Sequence, residues 1–290
     1  MFQTRQPHLH GVPLTEEMKV IPKLTESTIQ HFRKHAFEAA VPRCLPTGLY
    51  RHSLPALSLW FRHNSDSVTG GPALNEDYLV ESGDFNVPVE FTATAAGSIR
   101  SGGDDTDSFA RADMPLSQFV ELSSRYSLYV AQCPLSSLPP HLQKDVPVPD
   151  LVRETGRGDI YDSSIWLGRP PTYTPLHKDP NPNLFVQLAG KKRIRVFEPS
   201  FGRAIFDEAQ RQIGAATTDG NFRGEEMMAG RERAVLENLV WSDNVPQVVG
   251  NGHEAELHHG DALFIPTGWW HSIKGLGKDG INGSVNWWFR

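Results

Sequence analysis

Short apolar runs divided by turn residues dominate the chain from about residue 159 onward. Runs of four to eight residues bounded by Gly, Pro, Asn or Asp are typical of β-strands, and several in succession predict a sandwich or barrel. The predicted strands are Ser164–Gly168, Tyr173–His177, Leu184–Ala189, Arg193–Phe197, Ala255–His258, Ala262–Ile265, His271–Lys274 and Ser284–Phe289.

The first part of the chain has a different pattern, so we divide the protein at about residue 125. Residues 1–125 are predicted to be a helical or mixed region that packs on a barrel formed by residues 126–290. One helix is expected from a cap at Thr25 or Ser27 to about Ala40, and a second over 115–124 with Asp113 as its cap. The polar interval of about 200–252 breaks the strand pattern, which predicts an insertion at the rim of the barrel.

Composition and charge narrow the function classes. The chain has 290 residues, 28 Lys and Arg against 34 Asp and Glu, and a net charge of −6. This balance argues against a protein that mainly binds nucleic-acid backbones. The two cysteines, Cys44 and Cys133, fit no zinc spacing and indicate a reduced compartment. Without an apolar segment of signal or membrane-spanning length, we expect a soluble protein of the cytoplasm or nucleus.

A His-x-Asp pair is the first candidate for chemistry. His177 and Asp179 are two residues apart in an extended segment, so their side chains point to the same side. Pro180 and Pro182 then turn the chain away from the strand. An imidazole and a carboxylate can therefore reach one metal ion, but a third ligand has to come from elsewhere in the chain.

His271 is the best candidate for the third ligand. A turn at Gly260-Asp261, a buried strand at Ala262–Ile265 and a second turn at Pro266–Gly268 return the chain beside itself just before His271. Two histidines and one carboxylate on one face of an octahedron leave three positions open. This ligand set is typical of non-haem Fe(II) oxygenases, in which the open positions admit a chelating cosubstrate and O₂.

Two other histidines compete with His271 for this role. His258 and His259 directly precede the Gly260 turn, and only one of two adjacent strand residues can point inward. A His-x-Asp pair is also a frequent accident, so the third ligand decides the interpretation.

A cation is predicted inside the barrel. Ile194 and Val196 share a strand face with Lys192, and the apolar pair should be the inward set. Burial of a lysine is costly unless an anion accompanies it, and a dicarboxylate cosubstrate is one such anion. The alternative is that Lys192 extends to the rim of the barrel and keeps its ammonium in water.

Four stretches resemble the JmjC (cupin-like) branch of the 2-oxoglutarate-dependent oxygenases, and together they cover roughly residues 159–290. They are Trp166–Leu184, Val186–Pro199, Gly260–His271 and Ser284–Phe289. The resemblance implies a mainly β fold with flanking helices around a double-stranded β-helix (jelly-roll) core. It also implies Fe(II), 2-oxoglutarate as cosubstrate, O₂, and activity supported by ascorbate. The most similar members are small hydroxylases of the factor-inhibiting-HIF-like asparaginyl type and related arginyl hydroxylases.

The resemblance also implies a role for each matching residue. His177, Asp179 and His271 match the iron ligands, and Lys192 matches the lysine that pairs with the distal carboxylate of 2-oxoglutarate. The remaining matches complete the cosubstrate pocket, and they are Tyr129, Thr174, Asn183 and Asn286.

The expected reaction is hydroxylation of an unactivated C–H bond, with a protein side chain as the substrate. The alternative substrate is a small molecule such as an amino acid or a biosynthetic intermediate. A lysine demethylase is favoured less because the chain has no cysteine-rich zinc module, and a non-catalytic cupin is favoured less because all three ligands are present. Nucleic-acid and membrane partners are not expected, whereas a homodimer is compatible with the family.

Overall fold

The protein is built on β-sheets with short helices around them, and the computed structural model describes residues 18–62, 71–93, 108–123, 125–214, 230–242, 251–278 and 280–290. In chain order the strands of these residues are β1 (Lys19–Val20), β2 (Arg43–Cys44), β3 (Phe61–Arg62), β4 (Ala73–Leu74), β5 (Asn86–Ala93), β6 (Ser108–Pro115), β7 (Leu128–Pro134), β8 (Ile160–Gly168), β9 (Tyr173–Lys178), β10 (Asn183–Ala189), β11 (Lys191–Phe197), β12 (His253–Leu257), β13 (Ala262–Ile265), β14 (Trp270–Leu276) and β15 (Asn282–Phe289). The helices are α1 (Ile29–Phe32), α2 (Ala56–Leu59), α3 (Glu76–Leu79), α4 (Leu116–Leu122), α5 (Pro140–Lys144), α6 (Asp150–Thr155), α7 (Pro199–Ile213) and α8 (Gly230–Trp241).

The strands form a major and a minor sheet. The major sheet has the order β2-β13-β10-β15-β8-β7-β5-β6, the minor sheet has the order β1-β12-β11-β14-β9, and β3 pairs with β4 in a small third sheet. From β8 to β15 the chain alternates between the two sheets except at β11 and β12, which are neighbours in the minor sheet. This interleaving is the jelly-roll topology. The predicted fold class is therefore confirmed, and each of the eight predicted strands overlaps one of β8–β15.

The side-chain alternation of β11 shows how the sheets pack. Ile194 and Val196 are fully buried between the sheets with apolar side chains of β10 and β13. Arg193 and Arg195 lie on the outer face, where each forms an ion pair with the glutamate opposite it on β12, Glu256 at 3.0 Å and Glu254 at 2.8 Å. Lys192 has the same orientation as the buried pair, as predicted, because the period of a strand is two residues.

The N-terminal part of the chain contributes strands to the major sheet. β5 pairs with both β6 and β7, and β7 pairs with β8, so the sheet continues beyond the jelly roll. The sequence interpretation missed β5 and β6. Asp113 lies within β6, opposite Pro88, and does not cap α4, which begins after Pro115.

The first predicted helix is present but shorter than expected. Thr28 caps it, with its hydroxyl accepting a hydrogen bond from the backbone N–H of His31 at 3.2 Å, whereas Thr25 and Ser27 do not. The helix continues from α1 into a π-helical turn at Arg33–Phe37 and ends there. Ala40, the predicted end, has a positive φ of 50° and lies outside the helix.

The region predicted as an insertion contains α7 and α8 among its described residues; 215–229 and 243–250 lie outside them. Both helices pack on the outer face of the minor sheet, where Phe206 and Val240 share a buried cluster with Leu176 and Trp270. The Arg195 guanidinium donates to the carbonyl of Val240 at 2.7 Å, which fixes α8 to β11. No helix among the described residues is both long and apolar enough to span a bilayer.

Truncation of Phe264 should test how the N-terminal helix is attached to the jelly roll. Phe264 of β13 is fully buried, and its ring lies edge-on to Phe32 of α1 at 5.0 Å and tilted against Phe289 of β15 at 6.3 Å. Phe264→Ala is expected to lower the free energy of unfolding by about 3–5 kcal/mol in chemical denaturation, because a large apolar cavity remains. Tyr126→Ala is the control, since Tyr126 is 62% exposed; an equal loss in both variants would contradict the packing.

Candidate metal centre

Two neighbouring strands of the minor sheet bring the predicted histidines together. In the antiparallel pairing of β9 with β14, His177 lies directly opposite His271. Their ring centroids are 4.1 Å apart, and both side chains face the space between the sheets. Asp179 follows the last residue of β9 and turns its carboxylate toward both rings.

The three side chains form a compact group with the dimensions of a metal site. The Nε2 atom of His177 is 3.9 Å from Oδ1 of Asp179, and the Nε2 atom of His271 is 3.5 Å from Oδ2 of the same carboxylate. One ligand atom from each of the three residues lies within 4.8 Å of the others. Atoms bound at about 2.1 Å to a shared ion are about 3–4 Å apart. All three residues are buried, so the group is shielded from bulk water.

Backbone carbonyls orient both imidazoles. Nδ1 of His177 donates to the carbonyl of Pro175 at 2.8 Å, and Nδ1 of His271 donates to the carbonyl of Trp269 at 3.3 Å. Each ring therefore directs the lone pair of Nε2 toward the centre of the group, as metal-ligating histidines do. Burial, with a smaller contribution from the neighbouring His271, lowers the pKa of His177 to about 4. His177 is therefore neutral at neutral pH, and neutral imidazole is the form that binds metals.

A β-bulge in β9 places Thr174 on the same face as His177. Thr174 pairs with Ile273 and His177 with His271, so three steps along β9 match two steps along β14. The extra residue turns Leu176 to the outer face, where it packs with α7 and α8. Without this bulge, residues three apart would point to opposite sides of the strand.

Lys192 is buried at the other end of the same cavity. It is 1% exposed, so the alternative that it extends to the rim is wrong. Its Nζ donates to the hydroxyl of Ser284 at 2.7 Å and lies 3.4 Å from the hydroxyl of Tyr129, which also shares a hydrogen bond with Thr174. No salt bridge joins Lys192 to a carboxylate within the described ranges, and burial lowers its pKa to about 7.

The two predicted asparagines lie beside the metal group. Nδ2 of Asn183 donates to Oδ2 of Asp179 at 2.9 Å, and Nδ2 of Asn286 donates to Oδ1 of Asn183 at 2.8 Å. All eight predicted site residues thus line one cavity. They are Tyr129, Thr174, His177, Asp179, Asn183, Lys192, His271 and Asn286.

The cavity has further walls beyond the eight predicted site residues. Trp166, Phe185, Ile273 and Trp288 line it, and Ser284 binds Lys192 from β15. Strand alternation could have indicated Ser284, because it is two residues before Asn286 on the same face.

The rival histidines lie elsewhere. His258 and His259 follow β12. His258 is exposed and lies 3.2 Å from Glu256, whereas Nδ1 of His259 donates to the carbonyl of Leu188 at 2.7 Å. The three-residue group identified above is the one potential metal cluster of its kind that the described residues contain.

Comparisons with known proteins agree with this arrangement. The cupin-like domain family matches residues 44–290. Lysine-specific demethylase JMJ30 of Arabidopsis thaliana is 30% identical over 161 residues, which are 56% of this chain and 33% of that protein.

Two further relatives align with nearly the whole chain. Lysine-specific demethylase 8 of Xenopus tropicalis is 26% identical over 295 residues, covering 96% of this chain and 54% of that protein. Jumonji C domain-containing protein 5 of Drosophila melanogaster is 26% identical over 281 residues, covering 93% and 59%. The chain thus spans a little over half the length of these two relatives. Because the family match covers most of the chain, this protein belongs to the cupin-like domain family, with JmjC proteins among its relatives.

Proposed function

We propose that this protein is an Fe(II)- and 2-oxoglutarate-dependent oxygenase. The observation that carries the proposal is a buried cavity with two histidines and a carboxylate at one end and, at the other, an ammonium that has no carboxylate partner among the described residues. Two neutral nitrogen ligands and one carboxylate on one side of an ion leave room for a chelating cosubstrate, which suits Fe(II). When bound, iron and 2-oxoglutarate would supply the oxidising chemistry, in which O₂ is consumed, succinate and CO₂ form, and one oxygen atom enters a substrate C–H bond.

Lys192 supports the assignment of a dicarboxylate. Within the described part of the chain, the hydrogen bonds of the Lys192 ammonium go to hydroxyls and to no anion. Burial of a cation in this way is costly, and an anion at this position would offset that cost. The hydroxyls of Tyr129 and Thr174 lie beside it and can donate to the same carboxylate. In this proposal, Lys192, Tyr129 and Thr174 hold the distal carboxylate, and the metal group receives the other end of the cosubstrate.

The apolar walls would keep water from the reacting atoms. Phe185 and Ile273 line the cavity between its two ends, and Trp166 and Trp288 line it from β8 and β15. An enclosed site strengthens the interactions of charged groups inside it and limits side reactions.

We infer that the substrate is a protein side chain and that the product is a hydroxylated residue. The resemblance of the ligand-bearing segments to small side-chain hydroxylases supports this assignment. Demethylation of a methylated lysine is the second candidate, because two of the three relatives described above carry the name lysine-specific demethylase.

The two reactions share their first step, insertion of oxygen into a C–H bond, and differ in which carbon is attacked. Hydroxylation of an N-methyl carbon releases formaldehyde, whereas a hydroxylated side-chain carbon keeps the added oxygen. Mass spectrometry of treated peptides together with a formaldehyde assay therefore separates them. A gain of one oxygen atom without formaldehyde is expected, and formaldehyde release from methyl-lysine peptides would establish demethylation.

Loss of one metal ligand should abolish turnover. Purified protein with Fe(II), ascorbate and labelled 2-oxoglutarate is expected to form succinate slowly even without substrate, and His177→Ala is expected to reduce this to the background. The physical reason is that two ligands do not retain the ion in the cavity. His258→Ala is the control, because His258 is exposed and outside the site. Absence of iron-dependent succinate formation by the unsubstituted protein would refute the proposal.

Replacement of the buried lysine should weaken cosubstrate binding selectively. Lys192→Met keeps the length of the side chain but removes the charge, and a hydrogen bond to a charged group contributes about 1.5–3 kcal/mol. We therefore expect the KM for 2-oxoglutarate to rise by about 10–100-fold, with metal binding unchanged. Lys191→Met is the matched control, since Lys191 is the exposed neighbour on the same strand. Equal KM values in the two variants would contradict the assignment.

Binding of 2-oxoglutarate should depend on pH through Lys192. Its pKa of about 7 in the free protein is depressed, so the side chain is largely neutral at about pH 8, and a bound carboxylate raises that pKa again. Binding at this pH is therefore expected to take up a proton, and affinity should fall by up to about tenfold per pH unit above 7.

Isothermal titration of the metal-loaded protein in two buffers with different ionisation enthalpies measures this uptake. The apparent enthalpy should differ between the buffers for the unsubstituted protein and not for Lys192→Met. Equal enthalpies in both buffers for the unsubstituted protein would show that Lys192 does not titrate on binding.

A further inference from the structure

We propose that Asn183 and Asn286 form a relay that fixes the orientation of the metal-binding carboxylate. The two amides connect β15 to Asp179 through consecutive hydrogen bonds, Asn286 Nδ2 to Asn183 Oδ1 at 2.8 Å and Asn183 Nδ2 to Asp179 Oδ2 at 2.9 Å. All three residues are buried, at most 8% exposed, so water does not compete strongly for these bonds. This inference rests on the proposed metal site.

Asp179 needs such support more than the two histidines do. Each histidine lies in a paired strand, and a nearby carbonyl fixes its ring through Nδ1. Asp179 lies beyond the end of β9, where no strand pairing holds the backbone. A carboxylate accepts hydrogen bonds only, so a donor has to fix its rotation. Asn183, the first residue of β10, supplies that donor.

Asn286 binds the oxygen of the Asn183 amide and so leaves the NH₂ group of Asn183 facing the carboxylate. If the Asn183 amide were reversed, its oxygen would face an oxygen of Asp179, and its NH₂ group would face the NH₂ group of Asn286. The contact with Asp179 would be repulsive because it brings two acceptors together, and the contact with Asn286, in the orientation that the structure gives it, would bring two donors together. Asn286 thus acts on the metal site through Asn183, and both are positioning residues that lie outside the set of ligands.

The position of the pair in the fold makes this arrangement rigid. β10 lies between β13 and β15, so Asn183 is in a strand that is paired on both sides. Asn286 is also in a strand paired on both sides, by β10 and β8. The relay therefore connects the loosely held end of β9 in the minor sheet to the centre of the major sheet.

Metal affinity of the substituted proteins tests the relay without any measurement of turnover. Co(II) serves as the probe, because its visible absorption reports the geometry of its ligands and its affinity can be titrated. Asn183→Ala is expected to weaken Co(II) binding by about 10–100-fold and to change the absorption bands, the usual effect of losing a residue that orients a ligand. Asn286→Ala is expected to cause a smaller loss in the same direction.

The double variant distinguishes a relay from two independent effects. With Asn183 already replaced, Asn286 has no path to Asp179, so Asn183→Ala/Asn286→Ala should bind Co(II) within about twofold of Asn183→Ala alone. Losses that multiply in the double variant would overturn the relay. It would also be overturned if Asn286→Ala lowered the affinity for 2-oxoglutarate and left Co(II) binding unchanged.

Asn282→Ala is the matched control. Asn282 is a buried asparagine on β15, the strand that also carries Asn286. Its amide oxygen accepts a hydrogen bond from Gln187, and its NH₂ group donates to the carbonyl of Leu276, away from the metal group. It should lose thermal stability and keep the Co(II) affinity of the unsubstituted protein. If Asn183→Ala does not fold, as judged by circular dichroism, Asn183→Ser keeps a small polar side chain that is too short to reach Asp179 and takes its place.

The experiment separates failure of the relay from failure of the proposed function. If the unsubstituted protein binds no Co(II), or if the His177→Ala variant binds Co(II) with the same affinity, both the metal site and the relay are wrong. If it binds Co(II) through His177 and Asn183→Ala has the same affinity and spectrum, only the relay is wrong.

Discussion

His177 and His271 lie side by side because β9 and β14 are hydrogen-bonded neighbours in the minor sheet. These residues are 94 positions apart in the chain, and the segment between them crosses both sheets before it returns. Antiparallel pairing fixes which residues lie opposite each other, so the register of these two strands determines the separation of the two rings. A slip of one residue would turn one histidine to the outer face, toward α7 and α8.

The same register also places the other end of the cavity. β14 pairs with β9 on one side and with β11 on the other. In the second pairing, Lys192 of β11 lies opposite Gly275, which is four residues after His271 on β14. The strand rise of about 3.3 Å per residue separates these positions by about 13 Å. The side chain of Lys192 lines the cavity, and the bulge in β9 places the hydroxyl of Thr174 in the same cavity. Three adjacent strands thus carry both the metal group and the cation, which suits a ligand with two carboxylates.

The cavity buries many polar groups, and removing them from water costs free energy unless they form hydrogen bonds. Hydrogen bonds between the two sides of the cavity offset this cost: Asn183 of the major sheet donates to Asp179, which follows β9, and Lys192 of the minor sheet donates to Ser284 of the major sheet. These contacts cross the space that apolar side chains fill elsewhere, and they tie the sheets together at the cavity. On its outer face, the minor sheet is covered by α7 and α8 through apolar contacts. Arg195 also donates a hydrogen bond to the carbonyl of Val240 near the end of α8.

Local periodicity was sufficient for much of the fold. The eight strands of the jelly roll follow from short apolar runs bounded by turn residues, and the inward orientation of Lys192 follows from alternation along β11; both signals depend only on near neighbours in the chain. β5 was missed although Val87 and Val89 alternate with less apolar residues, because a proline between them argues against a strand. The cap of the first helix was also missed, since several nearby hydroxyl residues are equally plausible in sequence and only the backbone geometry selects Thr28.

The sequence by itself determined which side chains could serve as ligands and that His177 and Asp179 could share one side of an extended segment. It left the third ligand open between His271 and its rivals. Only the tertiary structure decided that β14 pairs with β9, that a bulge adds Thr174 to the inner face, and that Asn286 reaches Asp179 through Asn183. The physical reason is that strand pairing and register depend on contacts between residues far apart in the chain, and the side-chain pattern of a single strand does not contain them.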